Sequence, residues 1–216
     1  MESILQLVDF VLHPDLAYLF ETYGVYIYAI LFLIIFVETG LVVMPFLPGD
    51  SLLFTAGMLT VAQPGLNIYI LIPLLLVAAI SGDTLNYFVG KYFSDRVLQW
   101  KYKGQPLVRK EWLDDTHEFF EKHGNKTIVL ARFVPIVRTI APFVSGIGKM
   151  TYSTFTLYNI IGGILWVGSM VLLGHFLGSS KFVQDNLEKF VLGIVFLSIL
   201  PIIIKMLQAK FGKKSA

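Results

Sequence analysis

Long apolar stretches, broken in two places by Pro and Gly, set the pattern of this chain. Residues 39–49, 51–82 and 150–180 contain no charged side chain. A run of roughly 20 apolar residues crosses a bilayer core. The second and third stretches are longer than that, so each holds a full span plus part of a hairpin, or a long tilted helix. The pattern predicts spans over residues 23–37, 67–92 and 152–178, and a last one near 187–207. Residues 41–62 and 127–147 are also apolar, but Pro45, Pro48 and Gly49 interrupt the first, and Pro135, Pro142 and Gly146 the second. A continuous helix is not expected through such residues. Irregular backbone at membrane depth is tolerated only where protein buries it or water reaches it. Both segments therefore read as re-entrant hairpins.

Two polar segments carry a helical period of their own. Within residues 1–20, Glu2, Gln6, Asp9 and His13 recur at helical spacing among apolar neighbours, and Pro14 ends or redirects the run. That is the signature of a helix lying in the interface. The connector 93–126 is the most polar part of the chain, and in it Val108, Trp112, Leu113, Thr116, Phe119 and Phe120 share one face, which suggests a second interfacial helix. The two halves repeat weakly. Phe46-Leu47-Pro48 matches Phe133-Val134-Pro135, Ala56-Gly57 matches Ser145-Gly146, and Gly90-Lys91-Tyr92 matches Gly174-His175-Phe176. The expected fold is one all-α polytopic membrane domain over 1–216, an inverted repeat with two opposed re-entrant hairpins and about four transmembrane helices.

Composition agrees: 56% of residues are hydrophobic and 15% charged. The net charge of +2 is uninformative, but its distribution is not, since all 17 Lys and Arg lie from Lys91 onward. They crowd the connector and the tail 205–216, and the positive-inside rule places both on the cytoplasmic face. Both termini are then cytoplasmic, and the two hairpins enter from opposite faces of the membrane. With no cysteine, disulfides and cysteine-ligated metals are excluded. The N-terminus lacks the basic start of a signal peptide, so the mature chain is expected to begin at Met1. His13, His117, His123 and His175 have no metal-ligand spacing, and no GxxxxGK[ST] is present. No enzyme activity, cofactor, metal or nucleic acid is expected.

Ionisable residues inside the broken segments are the candidates for chemistry, because such charges are costly in lipid. Glu38 is an interfacial carboxylate at a span end or a proton-titrating group, desolvation favouring the neutral acid. Asp50 caps the following helix, faces a cavity, or does both. Arg132 and Arg138 stand six apart in the second broken segment, and a guanidinium fork suits bidentate capture of phosphate. The alternative is that they only staple the hairpins to Glu38 or Asp50. Asp83 shares a helix face with Asn86 and Tyr87, lining the cavity or satisfying free backbone groups. Asn159 and Trp166 share another face, flanking Gly162 and Gly163, whose smallness suits close helix packing. Paired interrupted segments of this kind point to a transporter site.

The stretches FVETGLVVMPFLPGDSLLF, GDTLNYFVGK, HEFFEKHGNKTIVLARFVPIVRTIAPFVSGIGKM and YNIIGGILWV together resemble the bacterial DedA family, the group sharing the SNARE-associated or VTT domain. The resemblance covers nearly the whole chain. It implies two opposed re-entrant hairpins and lipid translocation, in bacteria the return of undecaprenyl phosphate across the inner membrane, dependent on the proton motive force. Eukaryotic relatives are phospholipid scramblases. The family's essential acidic positions correspond to Glu38 and Asp50, its arginines to Arg132 and Arg138, and its glycine-aspartate to Gly82 and Asp83. His175 stands where many members carry Tyr. The expected function is thus a flippase or scramblase for undecaprenyl phosphate or another anionic phospholipid, possible as a homo-oligomer. A proton-coupled cation antiporter and a non-transporting envelope scaffold are the alternatives.

Overall fold

The computed structural model describes residues 24–41, 49–62, 66–102, 105–106 and 110–184. The interfacial helix expected within 1–20, the first limb of the first hairpin, the last span near 187–207 and the basic tail lie outside these residues.

Helix α1 is Tyr26–Gly40, α2 Gly49–Ala62 and α3 Ile68–Gln99. Asn67 starts α3 by accepting the Tyr69 N–H at 2.9 Å on its side chain, which satisfies one of the free donors of a helix N-terminus. At 32 residues, α3 is about 48 Å long, more than a bilayer core is thick. Its apolar part, Ile68–Ser94, is one of two helices among the described residues that are long and apolar enough to span a membrane. The other is α7, Tyr152–Gly178. Between them lie a two-residue antiparallel pairing of β1 (Lys101–Tyr102) with β2 (Gln105–Pro106), helix α4 (Lys110–His123), a 3₁₀ turn at Gly124–Lys126, and the pair α5 (Thr127–Ala131) and α6 (Pro135–Ile147). A short α8, Lys181–Gln184, follows α7.

The second broken segment, residues 127–147, folds as α5 and α6 with a break between them. Val134 is extended because Pro135 disfavours the helical region for the residue before it, and Pro135 then opens α6 where its missing N–H costs no helical bond. The turn at residues 132–134 is closed by Phe133 and Val134 N–H groups donating to Leu130 and Ala131 carbonyls. In the first broken segment, 41–62, α2 occupies Gly49–Ala62.

The connector helix α4 packs on the second half of the fold. Thr116 of α4 is buried, and Leu113, Phe119 and Phe120 pack on Ile140, Phe143, Val144, Ala131 and Val137 of α5 and α6. Of the stripe, Leu113, Thr116, Phe119 and Phe120 are therefore turned toward protein, while the side chains of Val108 and Trp112 lie outside the described residues. An amphipathic period reports only that one face is apolar, not what buries it.

Each half packs its short helix against the long span of the other half. Gly57 of α2 lies against the α7 backbone at Val171, and Gly174 of α7 against the α2 backbone at Phe54. Likewise Gly90 of α3 lies against Phe143 of α6, and Gly146 of α6 against Tyr87 of α3. In each of these four contacts the glycine meets the carbonyl oxygen of the residue three before the partner glycine. The same reciprocal arrangement occurs in both pairs, which turns the weak sequence repeat into a structural one. No Cβ fits at these crossings, so helix backbones come into direct contact, as small residues permit in membranes.

The larger apolar core gathers Ile27, Leu31 and Ile35 of α1, Leu53, Ala56 and Leu59 of α2, Leu71 and Leu75 of α3, and Val167 and Val171 of α7. The opposite faces of α3 and α7 expose Val77, Ile164, Leu165, Leu172 and Leu173. Helices apolar on every side are those with protein on one face and lipid on the other.

Candidate functional site

Helix ends and the middles of the two spans converge on one buried cluster. Asp83 stands near the middle of Ile68–Ser94 and Trp166 near the middle of Tyr152–Gly178. The cluster therefore sits at mid-depth along both helices. Glu38 enters from the last turn of α1, Asp50 from the first turn of α2, Arg132 from the turn between α5 and α6, and Arg138 from the first turns of α6.

Arg138 is held by two carboxylates at once. Its Nη2 donates to Glu38 Oε1, and its Nη1 donates to Asp50 Oδ1 at 2.8 Å. Both carboxylates belong to the first half of the chain and the arginine to the second. Glu38 is 1% exposed and Arg138 9%, whereas the Asp50 side chain keeps 25% of its surface open. Glu38 also lies against the backbone at Gly49, where an added Cβ would fall on its carboxylate. A carboxylate at the start of α2 is stabilised by the positive end of that helix.

Arg132 has different partners. Its Nη2 donates to Asp83 Oδ2 and Asn159 Oδ1, and the Asn159 amide in turn donates to Ile80 O at 3.1 Å. Of the two arginines expected to reach phosphate or to staple to Glu38 or Asp50, only Arg138 meets those carboxylates; Arg132 is taken by Asp83 and Asn159. Periodicity put Asp83 on one helix face with Asn86 and Tyr87 but separated neither a cavity role from a backbone one nor one cation from another. Gly162 makes room for Arg132, since a Cβ there would lie 2.9 Å from Arg132 Cδ.

Of the other residues singled out from sequence, Asn86 is a backbone clip. Its amide donates to Thr39 O at 3.3 Å and Thr139 O at 2.8 Å, joining the end of α1 to α6. Thr39 O is among the last carbonyls of α1, which no turn of the same helix satisfies. Tyr87 is buried against Phe155, ring centroids 4.6 Å apart, and donates to Met150 O. Neither residue lines the cavity of about 10 Å³ at the centre of the cluster, which is bounded by Thr39, Asp83, Arg132, Arg138, Thr139 and Trp166. That volume is at the lower limit for one water molecule. The two threonines were not singled out from sequence, although each directly follows a residue that was.

Trp166 completes the wall. The Arg138 and Arg132 guanidinium carbons lie 5.1 and 5.7 Å from its ring centroid, and its indole N–H donates to Asp50 Oδ1 at 2.7 Å. Two guanidiniums against the carboxylates of Glu38, Asp50 and Asp83 leave a formal charge of −1 when all are ionised. One proton makes the cluster neutral. Arg132 Nε and Arg138 Nε are buried without a hydrogen-bond partner, so each guanidinium keeps a donor in reserve.

Comparison with known proteins points one way. The VTT domain matches residues 47–176, from just before α2 to nearly the end of α7, so that it takes in Asp50, Asp83, Arg132, Arg138 and Trp166 but begins after Glu38. Protein DedA of Escherichia coli (strain K12) is 51% identical over 97% of this chain and 96% of its own length. An uncharacterised membrane protein of Mycobacterium tuberculosis (strain ATCC 25618 / H37Rv) is 39% identical over 85% of this chain and 80% of its own. Inner membrane protein YqjA of Escherichia coli (strain K12) is 33% identical over 71% and 69%. No solved structure matches.

Proposed function

We propose, from the premise that this chain belongs to the DedA family of VTT-domain membrane proteins, that it moves an anionic lipid, undecaprenyl phosphate or another phospholipid, across the bacterial inner membrane, coupled to the proton motive force. The observation that carries this reading is Arg138, buried near mid-membrane and held between carboxylates of α1 and α2 beside a second buried guanidinium. A guanidinium fork binds phosphate as it binds carboxylate. A phosphate headgroup therefore competes with Glu38 and Asp50 for the same donors.

Protons decide that competition. Protonated Glu38 and Asp50 no longer attract Arg138 as charges, and the arginine is released to the headgroup while the lipid tail stays in the bilayer. When the carboxylates ionise again, they displace the phosphate. The central cavity admits no headgroup as it stands, so the described arrangement is the locked form. The substrate leaves chemically unchanged, without cofactor or metal. In this reading the two hairpins enter from opposite faces and both termini are cytoplasmic; the reciprocal glycine packing supports only the relation between the two halves. A cation antiporter fits less well, because two guanidiniums line the cavity itself against one carboxylate, Asp83.

The test is reconstitution of the purified chain in liposomes with labelled undecaprenyl phosphate or phosphatidylethanolamine, with and without a pH gradient. Lipid translocation that depends on the gradient and is lost in Arg138→Ala supports the proposal. An unchanged rate in Arg138→Ala, or monovalent cation flux without lipid movement, refutes it.

A further inference from the structure

Trp166 touches both halves of the charged cluster, and the lock described above gives it no task. Its indole N–H and the Arg138 guanidinium share one acceptor, Asp50 Oδ1, at 2.7 and 2.8 Å. Both guanidiniums lie over its ring within the range of cation–π attraction. The side chain is 1% exposed and forms part of the cavity wall. A buried Trp satisfies its N–H whatever its role, but here the acceptor is the same carboxylate oxygen that Arg138 uses, and the ring faces two cations.

Release of Arg138 from the protonated Asp50 would take away a hydrogen-bond donor to that carboxyl in a partly buried site, and an unsatisfied polar group there is costly. The indole N–H is a donor that stays behind. The ring face is likewise a fixed, uncharged seat for the guanidinium that has lost its carboxylates. We infer that Trp166 is a positioning residue that couples the two arginine sites, holding Asp50 by its N–H and both guanidiniums by its ring while a phosphate headgroup takes Arg138. This rests on the reading of Arg138 as the phosphate donor, and it makes the two halves of the residue separable by mutation.

Trp166→Phe keeps an aromatic face and removes the N–H; Trp166→Leu removes both. In reconstituted liposomes, Trp166→Phe is expected to slow undecaprenyl phosphate translocation roughly tenfold, with the half-saturating lipid concentration nearly unchanged and the melting temperature close to that of the parent. Trp166→Leu is expected to raise the half-saturating concentration as well. Wild-type rates in Trp166→Phe overturn the inference. A second measurement needs no Trp166 variant. In the full chain carrying Trp100→Phe and Trp112→Phe, Trp166 is the sole tryptophan, and its emission in detergent micelles is read during titration with dodecyl phosphate, with dodecanol as the uncharged control. A saturable change with the phosphate alone supports the coupling. Calorimetric binding of dodecyl phosphate with unchanged emission overturns the inference and leaves the proposed function standing. Absence of binding to dodecyl phosphate removes the proposed function and the inference together.

Discussion

Arg132 and Asp83 form the ion pair whose removal best separates fold from function. Both side chains are nearly inaccessible, at 4% and 6% of their surface, so solvent screens the pair little. Arg132→Met leaves the Asp83 carboxylate buried without its cation, and breaking a buried pair from one side costs about 3–5 kcal/mol. Asn159 Oδ1 also loses its donor, although its amide keeps Ile80 O; one such unsatisfied acceptor adds about 1–3 kcal/mol. Asp83→Asn alone leaves Arg132 charged against a neutral amide, at a similar cost to breaking the pair. The double substitution removes both charges, and only the Asn159 acceptor and some packing are lost, about 1–3 kcal/mol in all. The double variant is thus expected to be more stable than either single one. The assay is equilibrium unfolding of the four proteins in detergent, read as a double-mutant cycle, with lipid translocation measured on the same preparations. Recovery of stability in the double variant without recovery of translocation places Arg132 in the site. Additive destabilisation would refute the buried-pair reasoning, and full translocation in the double variant would make the pair a structural staple only.

Other consequences are simpler to measure. Gly57→Ala and Gly146→Ala should each destabilise by about 1–3 kcal/mol through overpacking, whereas Gly168→Ala, where an added Cβ meets nothing within 4 Å, should be neutral or stabilising by up to about 1 kcal/mol; denaturation midpoints in detergent distinguish them. Gly49→Ala places a methyl on the Glu38 carboxylate and should abolish gradient-driven translocation in liposomes, while protein of normal yield with normal translocation would contradict the contact. Tyr87→Phe loses one hydrogen bond to Met150 O and should cost about 1 kcal/mol in an unfolding assay with translocation retained, since Tyr87 lies outside the cavity wall.

The apolar spans and the second broken segment were legible from local pattern alone. Apolar length predicted spans at 67–92 and 152–178, where the structure has Ile68–Ser94 and Tyr152–Gly178, and Pro135 with the residue before it set the break between α5 and α6. The five charged residues of the site were legible for a related reason, because charges in apolar segments stand out whatever their partners. Thr39 and Thr139 did not stand out, since a threonine inside a membrane helix ordinarily bonds its own backbone, as Thr39 does to Ile35 O. The connector stripe was legible as apolar, but not that Leu113, Thr116, Phe119 and Phe120 turn toward protein.

The sequence by itself determined that this is a membrane protein with charges at span depth, and that its halves repeat, because hydropathy, proline and glycine act within a few residues of where they stand. Which carboxylate faces which arginine was settled only by the tertiary structure. Arg138 meets Glu38 and Asp50 about a hundred and about ninety residues away, and Arg132 turns instead to Asp83 and Asn159. Those pairings depend on where α2 and α6 cross the opposite spans. The crossings are set by reciprocal glycine contacts, whose partner choice no local pattern contains.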